Sequence, residues 1–168
     1  MKSFVIIIFT AALAVTMSWQ RASADSPPTT DFGPLTKLIG SWRGTSSDGK
    51  RVLVEYHLTS GGSSLVETLK ISGDPEMTTM YYFDRGRVMM THYCSMGNQP
   101  RMRAEMPKAL AKTVNFNFVD ATNLASPSDP HMHRVTFTFV DQDHLTQDWY
   151  SSKDGKEIPH TFTLERKK

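Results

Sequence analysis

The chain has one cysteine, Cys94, in 168 residues. A lone thiol cannot close an internal disulfide, so stability must come from packing, and Cys94 is read as a small buried hydrophobe. After the N-terminal segment no apolar run approaches the roughly 20 residues that a membrane helix needs. Helical periodicity of useful length is missing as well. Basic residues do not gather on one face, which leaves out nucleic acid as a partner. Neither Gly-x-Ser-x-Gly, a phosphate loop, a dinucleotide turn, Cys-x-x-Cys nor His-Glu-x-x-His occurs, so the common hydrolase, nucleotide and zinc signatures are excluded.

What is present begins with an address. Lys2 is followed by the apolar stretch Phe4 to Val15 and by Ala22-Ser23-Ala24, a positive start, a short apolar core and a small-x-small cleavage pattern. Residues 1–24 are therefore expected to be a signal peptide, and the protein to be exported to the periplasm or the extracellular space. Its removal takes away Lys2 and Arg21, leaving 17 basic against 17 acidic residues in a chain of 144. Residues 25–31, DSPPTTD, read as a disordered linker, and residues 32–168 as one domain.

That domain alternates with period two. In RVLVEYHLT (51–59) Val52, Val54, Tyr56 and Leu58 share one face, while Arg51, Glu55 and His57 share the other. The same rhythm runs through LVETLKI (65–71), TVNFNFV (113–119), HRVTFTFV (133–140) and HTFTLER (160–166). One apolar and one polar face mark antiparallel strands resting on a core. Gly, Asn and Asp stand in the short connections SSDGK, SGGS, GDPE, DRGR, GNQP, VDQD and SKDGK, where tight turns need them. Only residues 120–132 read as a long irregular piece. Nine or ten strands joined by tight turns predict a single antiparallel up-and-down β-barrel, preceded by a short helix in FGPLTKLIG.

LIGSWRG (Leu38 to Gly44) sets a Gly-x-Trp at the start of the first strand, and Arg166 ends the last. This resembles the calycin superfamily of lipocalins, fatty-acid-binding proteins and nitrobindin-like barrels. The resemblance implies that Trp42 closes the barrel floor with Arg166 packed across its ring, a cation–π pair. Residues 91–102, THYCSMGNQPRM, further resemble a set of secreted bacterial proteins of lipocalin-like type.

Strand parity turns several polar residues toward the interior: Glu67, His92, Cys94, His133, Gln147 and His160. Together with Met and Phe they describe a mostly apolar cup with a few polar groups to orient a guest. The leading expectation is thus a non-catalytic barrel that binds a small, largely apolar molecule, with no cofactor. The alternatives are a metal site, for which His92-x-Cys94 and His131-x-His133 have compatible spacing, and a filled barrel that acts as an envelope-associated interaction protein. The nitrobindin-like resemblance implies haem, with His160 as the axial ligand. His57, His144, Arg101 and Arg103 fall on outward faces.

Overall fold

The computed structural model describes residues 32–105 and 112–168; the expected signal peptide and linker lie outside the described residues. A short 3-10 helix, Gly33–Leu38, leads into ten strands. They are β1 (Gly40–Ser46), β2 (Arg51–Thr59), β3 (Ser64–Ile71), β4 (Met77–Asp84), β5 (Arg87–Tyr93), β6 (Gln99–Ala104), β7 (Thr113–Thr122), β8 (His131–Phe139), β9 (His144–Lys153) and β10 (Lys156–Arg166). Each strand pairs antiparallel with its neighbours in sequence, and β10 returns to β1, so the sheet closes as an up-and-down barrel. Closure gives every strand two hydrogen-bonded neighbours.

Alternation explains most of the core. Val52, Val54, Leu65, Leu69, Phe116, Val135, Phe137, Leu145 and Leu164 are all buried, and their chain neighbours face out. Tyr81, Phe116 and Phe137 meet edge to face inside, with ring centroids 5.7 to 6.3 Å apart. Two expectations need correction. Leu58, expected on the core face, is 45% exposed: β1 stops pairing with β2 at Gly40↔Tyr56, and the strand beyond it overhangs the barrel. The stretch 120–132 is also shorter than expected, since β7 continues to Thr122 and β8 begins at His131.

The barrel has two unlike ends. At the floor, Trp42 is buried, and its indole Nε1 donates to Leu38 O at 2.6 Å. The Arg166 guanidinium lies over the ring, 4.2 Å from its centre, and donates to Ile39 O and Lys37 O at 2.8 and 2.6 Å. The glycines of the motif are sterically required. Gly40 has φ +117°, outside the range of ordinary residues. A Cβ on Gly44 would stand 1.8 Å from Thr163 O, because β1 and β10 approach each other closely there. The opposite end, formed by the β1–β2, β3–β4 and β5–β6 turns, is open.

Candidate functional site

At that open end the barrel holds a cavity of about 520 Å³. Its deep wall is apolar, built from Leu69, Ile71, Met77, Met132, Trp149 and Phe162, with His92, Cys94, Ser151 and His160 among them. Ser46, Ser47, Asp48, Lys50 and Asp74 form the polar rim. Among the described residues Lys50 is the one lysine or arginine on the wall; its Nζ is 3.0 Å from Asp74 and 3.8 Å from Asp48.

His92 comes from β5, opposite Thr79 of β4. Its Nδ1 lies 2.9 Å from Thr79 Oγ1, and its ring packs against the Trp149 indole with centroids 4.8 Å apart. Burial is nearly complete and destabilises the imidazolium, so the pKa falls to about 4 and the ring is neutral at physiological pH. Nε2 is buried without a hydrogen-bond partner. Cys94 is buried beside it, and burial pushes its thiol above the ordinary cysteine range. A poorly basic imidazole next to a thiol that resists ionisation is the reverse of an activated cysteine nucleophile.

His160, on β10, sits half-buried on the facing wall with Nε2 3.1 Å from Ser151 Oγ. Glu67 and Gln147 are fully buried but do not line the cavity. They belong to a polar brace across the barrel interior. Trp149 Nε1 donates to Gln147 Oε1 at 2.9 Å, and Gln147 Nε2 donates to the Tyr56 hydroxyl at 2.5 Å, joining β9 to β2. The Tyr81 hydroxyl donates to Glu67 Oε2, while Glu67 Oε1 has no partner of good geometry. Burial lifts the Glu67 carboxyl to about 7, against the opposing pull of Tyr81, Tyr56 and Gln147. Trp149 therefore has one face on the cavity and its nitrogen on the brace.

His133 does not line the cavity. The β8–β9 register slips between Met132 and Arg134, a β-bulge that reverses side-chain parity. Met132 consequently takes the cavity position opposite Ser151, and His133 stacks on Phe118 with ring centroids 5.4 Å apart. His131 packs on the same ring at 4.6 Å, and its Nδ1 donates to Asp129 O at 2.7 Å. Among the described residues no three His, Cys, Asp or Glu side chains group closely enough to hold a metal ion. Outside the barrel, Arg101 pairs with Asp120, and Arg103, His57 and His144 are exposed.

Among the residues that escaped the sequence reading are Ser151 and Met132 on the wall and Thr79 behind it, the partner of His92. Ser151 was accessible to it, because it follows Gln147 and Trp149 at period two. Met132 was hidden by the bulge. Thr79 carries no signal of its own; only the β4–β5 register brings it to His92.

The closed ten-stranded antiparallel barrel fits the calycin-like fold. No protein-family model and no curated protein matches the chain in sequence. Solved structures do match in shape. Rv2717c from M. tuberculosis is 14% identical with a TM-score of 0.57, over 80% of this chain and 95% of that one. A protein of unknown function from the DUF3598 family of Nostoc punctiforme is also 14% identical, with a TM-score of 0.54 over 79% of this chain. The match spans only about half of the Nostoc protein, 49% of its length. At such identities the likeness is one of fold.

Proposed function

We propose that the protein is an exported calycin-type barrel of the lipocalin-like kind that binds a small, largely apolar molecule in its open end, without catalysis. The carrying observation is the cavity of about 520 Å³ with an apolar deep wall and a few polar groups. At about 30 Å³ per water-sized group it has room for on the order of 15 such groups, a metabolite rather than a macromolecule. The suppressed chemistry of His92 and Cys94 supports binding over reaction.

Haem, the group implied by the nitrobindin-like resemblance, is poorly matched by the residues present. The Nε2 of His160 already faces the Ser151 hydroxyl. Lys50, the wall's lysine, is engaged by two aspartates rather than free to meet a propionate.

Native mass spectrometry of the mature protein purified from its own host tests the proposal, together with titration of Trp149 emission by small apolar compounds. A co-purifying small-molecule mass, or saturable quenching that Trp149→Phe removes, is expected. A bare polypeptide mass with no quenching by any apolar compound would sink the binding reading. A Soret band lost in His160→Ala would replace it with haem.

A further inference from the structure

We infer that the guest is an uncharged amphiphile whose hydroxyl group hydrogen-bonds His92 Nε2 on the buried wall, with its apolar body along Trp149, Leu69, Met77 and Phe162. This rests on the binding reading above and adds a class of molecule to it.

The unpartnered nitrogen is the starting point: His92 lines the cavity, but its Nε2 has almost no surface open to it, so a guest reaches the atom as the neighbouring wall side chains give way. A buried polar atom with no partner has lost its water and gained nothing in return, so a guest that supplies a partner recovers affinity from the protein's own deficit. His92 cannot turn away to satisfy itself, since Thr79 engages Nδ1 and Trp149 flanks the ring. The choice of hydroxyl follows from the neutral ring. If Thr79 donates to Nδ1, Nε2 carries the hydrogen and needs an acceptor; if Thr79 accepts, Nε2 needs a donor. A hydroxyl answers both. A carboxylate answers only the first and an ammonium only the second.

Charge argues the same way. Burial holds the His92 pKa at about 4, so the ring offers no cation to a carboxylate at neutral pH. Lys50, the formal cation on the described wall, sits at the rim and is already matched by Asp48 and Asp74, which leave the rim with one net negative charge. An anionic headgroup would thus pass an acidic rim and lose its hydration against Leu69 and Met77, a transfer that is strongly unfavourable without a partner. The other deep polar groups make no comparable demand, because Ser151 and His160 hydrogen-bond each other.

The test compares 1-decanol with decanoate at pH 7.5, each displacing 1-aminoanthracene, a neutral fluorescent probe, from the mature protein. Decanol is expected to bind at least about tenfold more tightly than decanoate. His92→Leu alone would orphan the Thr79 hydroxyl, so the variant of choice is Thr79→Val/His92→Leu, which removes both partners together. In it decanol is expected to weaken about three- to tenfold, while 1-aminoanthracene still binds and shows that the barrel is folded. Decanoate binding as tightly as decanol overturns the inference and leaves the binding reading standing. So does a double variant that folds, takes up the probe and binds decanol with unchanged affinity. A wild-type protein that takes up neither probe nor decanol overturns both.

Discussion

The floor and the mouth of this barrel are built from the same ten strands by opposite rules. At the floor the two closing groups are answered: the indole nitrogen of Trp42 has Leu38 O, and the Arg166 guanidinium has two carbonyls and an aromatic face. At the mouth the deep wall is left uncovered, and the buried atoms without partners include His92 Nε2 and Asn98 Oδ1. Between the two ends Glu67 retains one unanswered oxygen. The contrast between a satisfied floor and a mouth with unpartnered atoms is what supports the binding proposal. The closure stabilises the barrel, and the opening leaves polar groups at a cost to stability.

The largest effect should come from the floor. Trp42→Ala removes a buried indole and is expected to cost about 3–5 kcal/mol, read as a lowered urea midpoint. A loss below about 1 kcal/mol would mean that the floor is not what holds the barrel closed.

Next come the two buried titrating groups, whose shifts have opposite signs. Glu67 rises from 4.5 to about 7, so its contribution to stability is fully present below pH 4.5 and is lost as pH climbs through 7. His92 falls from 6.5 to about 4, so its contribution is present above pH 6.5 and is lost as pH drops through 4. Each displacement corresponds to something on the order of 3 kcal/mol. Between pH 4.5 and 6.5 the slopes oppose, and stability attributable to the pair should be nearly flat. Glu67→Gln should uncover a stability that increases across that window. Thr79→Val/His92→Leu should uncover one that decreases from pH 4.5 to 7. Urea melts at pH 4.5, 5.5, 6.5 and 7.5 check both; identical slopes in the two variants would refute the opposition.

Arg166→Met should be milder, about 1–3 kcal/mol, because the guanidinium is partly solvated and the methionine stem can still cover Trp42. Smallest is Ser151→Ala at the mouth, about 1 kcal/mol or less in thermal melts. If Ser151→Ala proved as damaging as Arg166→Met, the contrast between a load-carrying floor and a permissive mouth would fail.

Much of this architecture was legible because a strand exposes its chemistry in alternate residues. Val52, Val54, Phe116, Phe137 and Leu164 are recognisable as core from the sequence, and Trp42 and Arg166 were placed at the floor by the resemblance to calycin barrels. Glu67, His92 and Gln147 also declare themselves as polar residues on apolar faces. Their partners do not. Tyr81, Tyr56 and Thr79 are ordinary strand residues until register sets them against those side chains. Nor is the bulge at His133 written in any local pattern, although one extra residue there exchanges His133 for Met132 on the cavity wall.

Local alternation and turn chemistry, which act over a few residues, determined from the sequence alone that this is an all-β meander; the tryptophan–arginine closure came from the resemblance to calycin barrels. Only the tertiary structure decided that aromatic rings stop short of filling the barrel, that Glu67 and Gln147 serve a brace instead of the cavity, and that one nitrogen of His92 is left without a partner. Those outcomes depend on which residues, 13 to 91 positions apart, the closed sheet brings within hydrogen-bond distance.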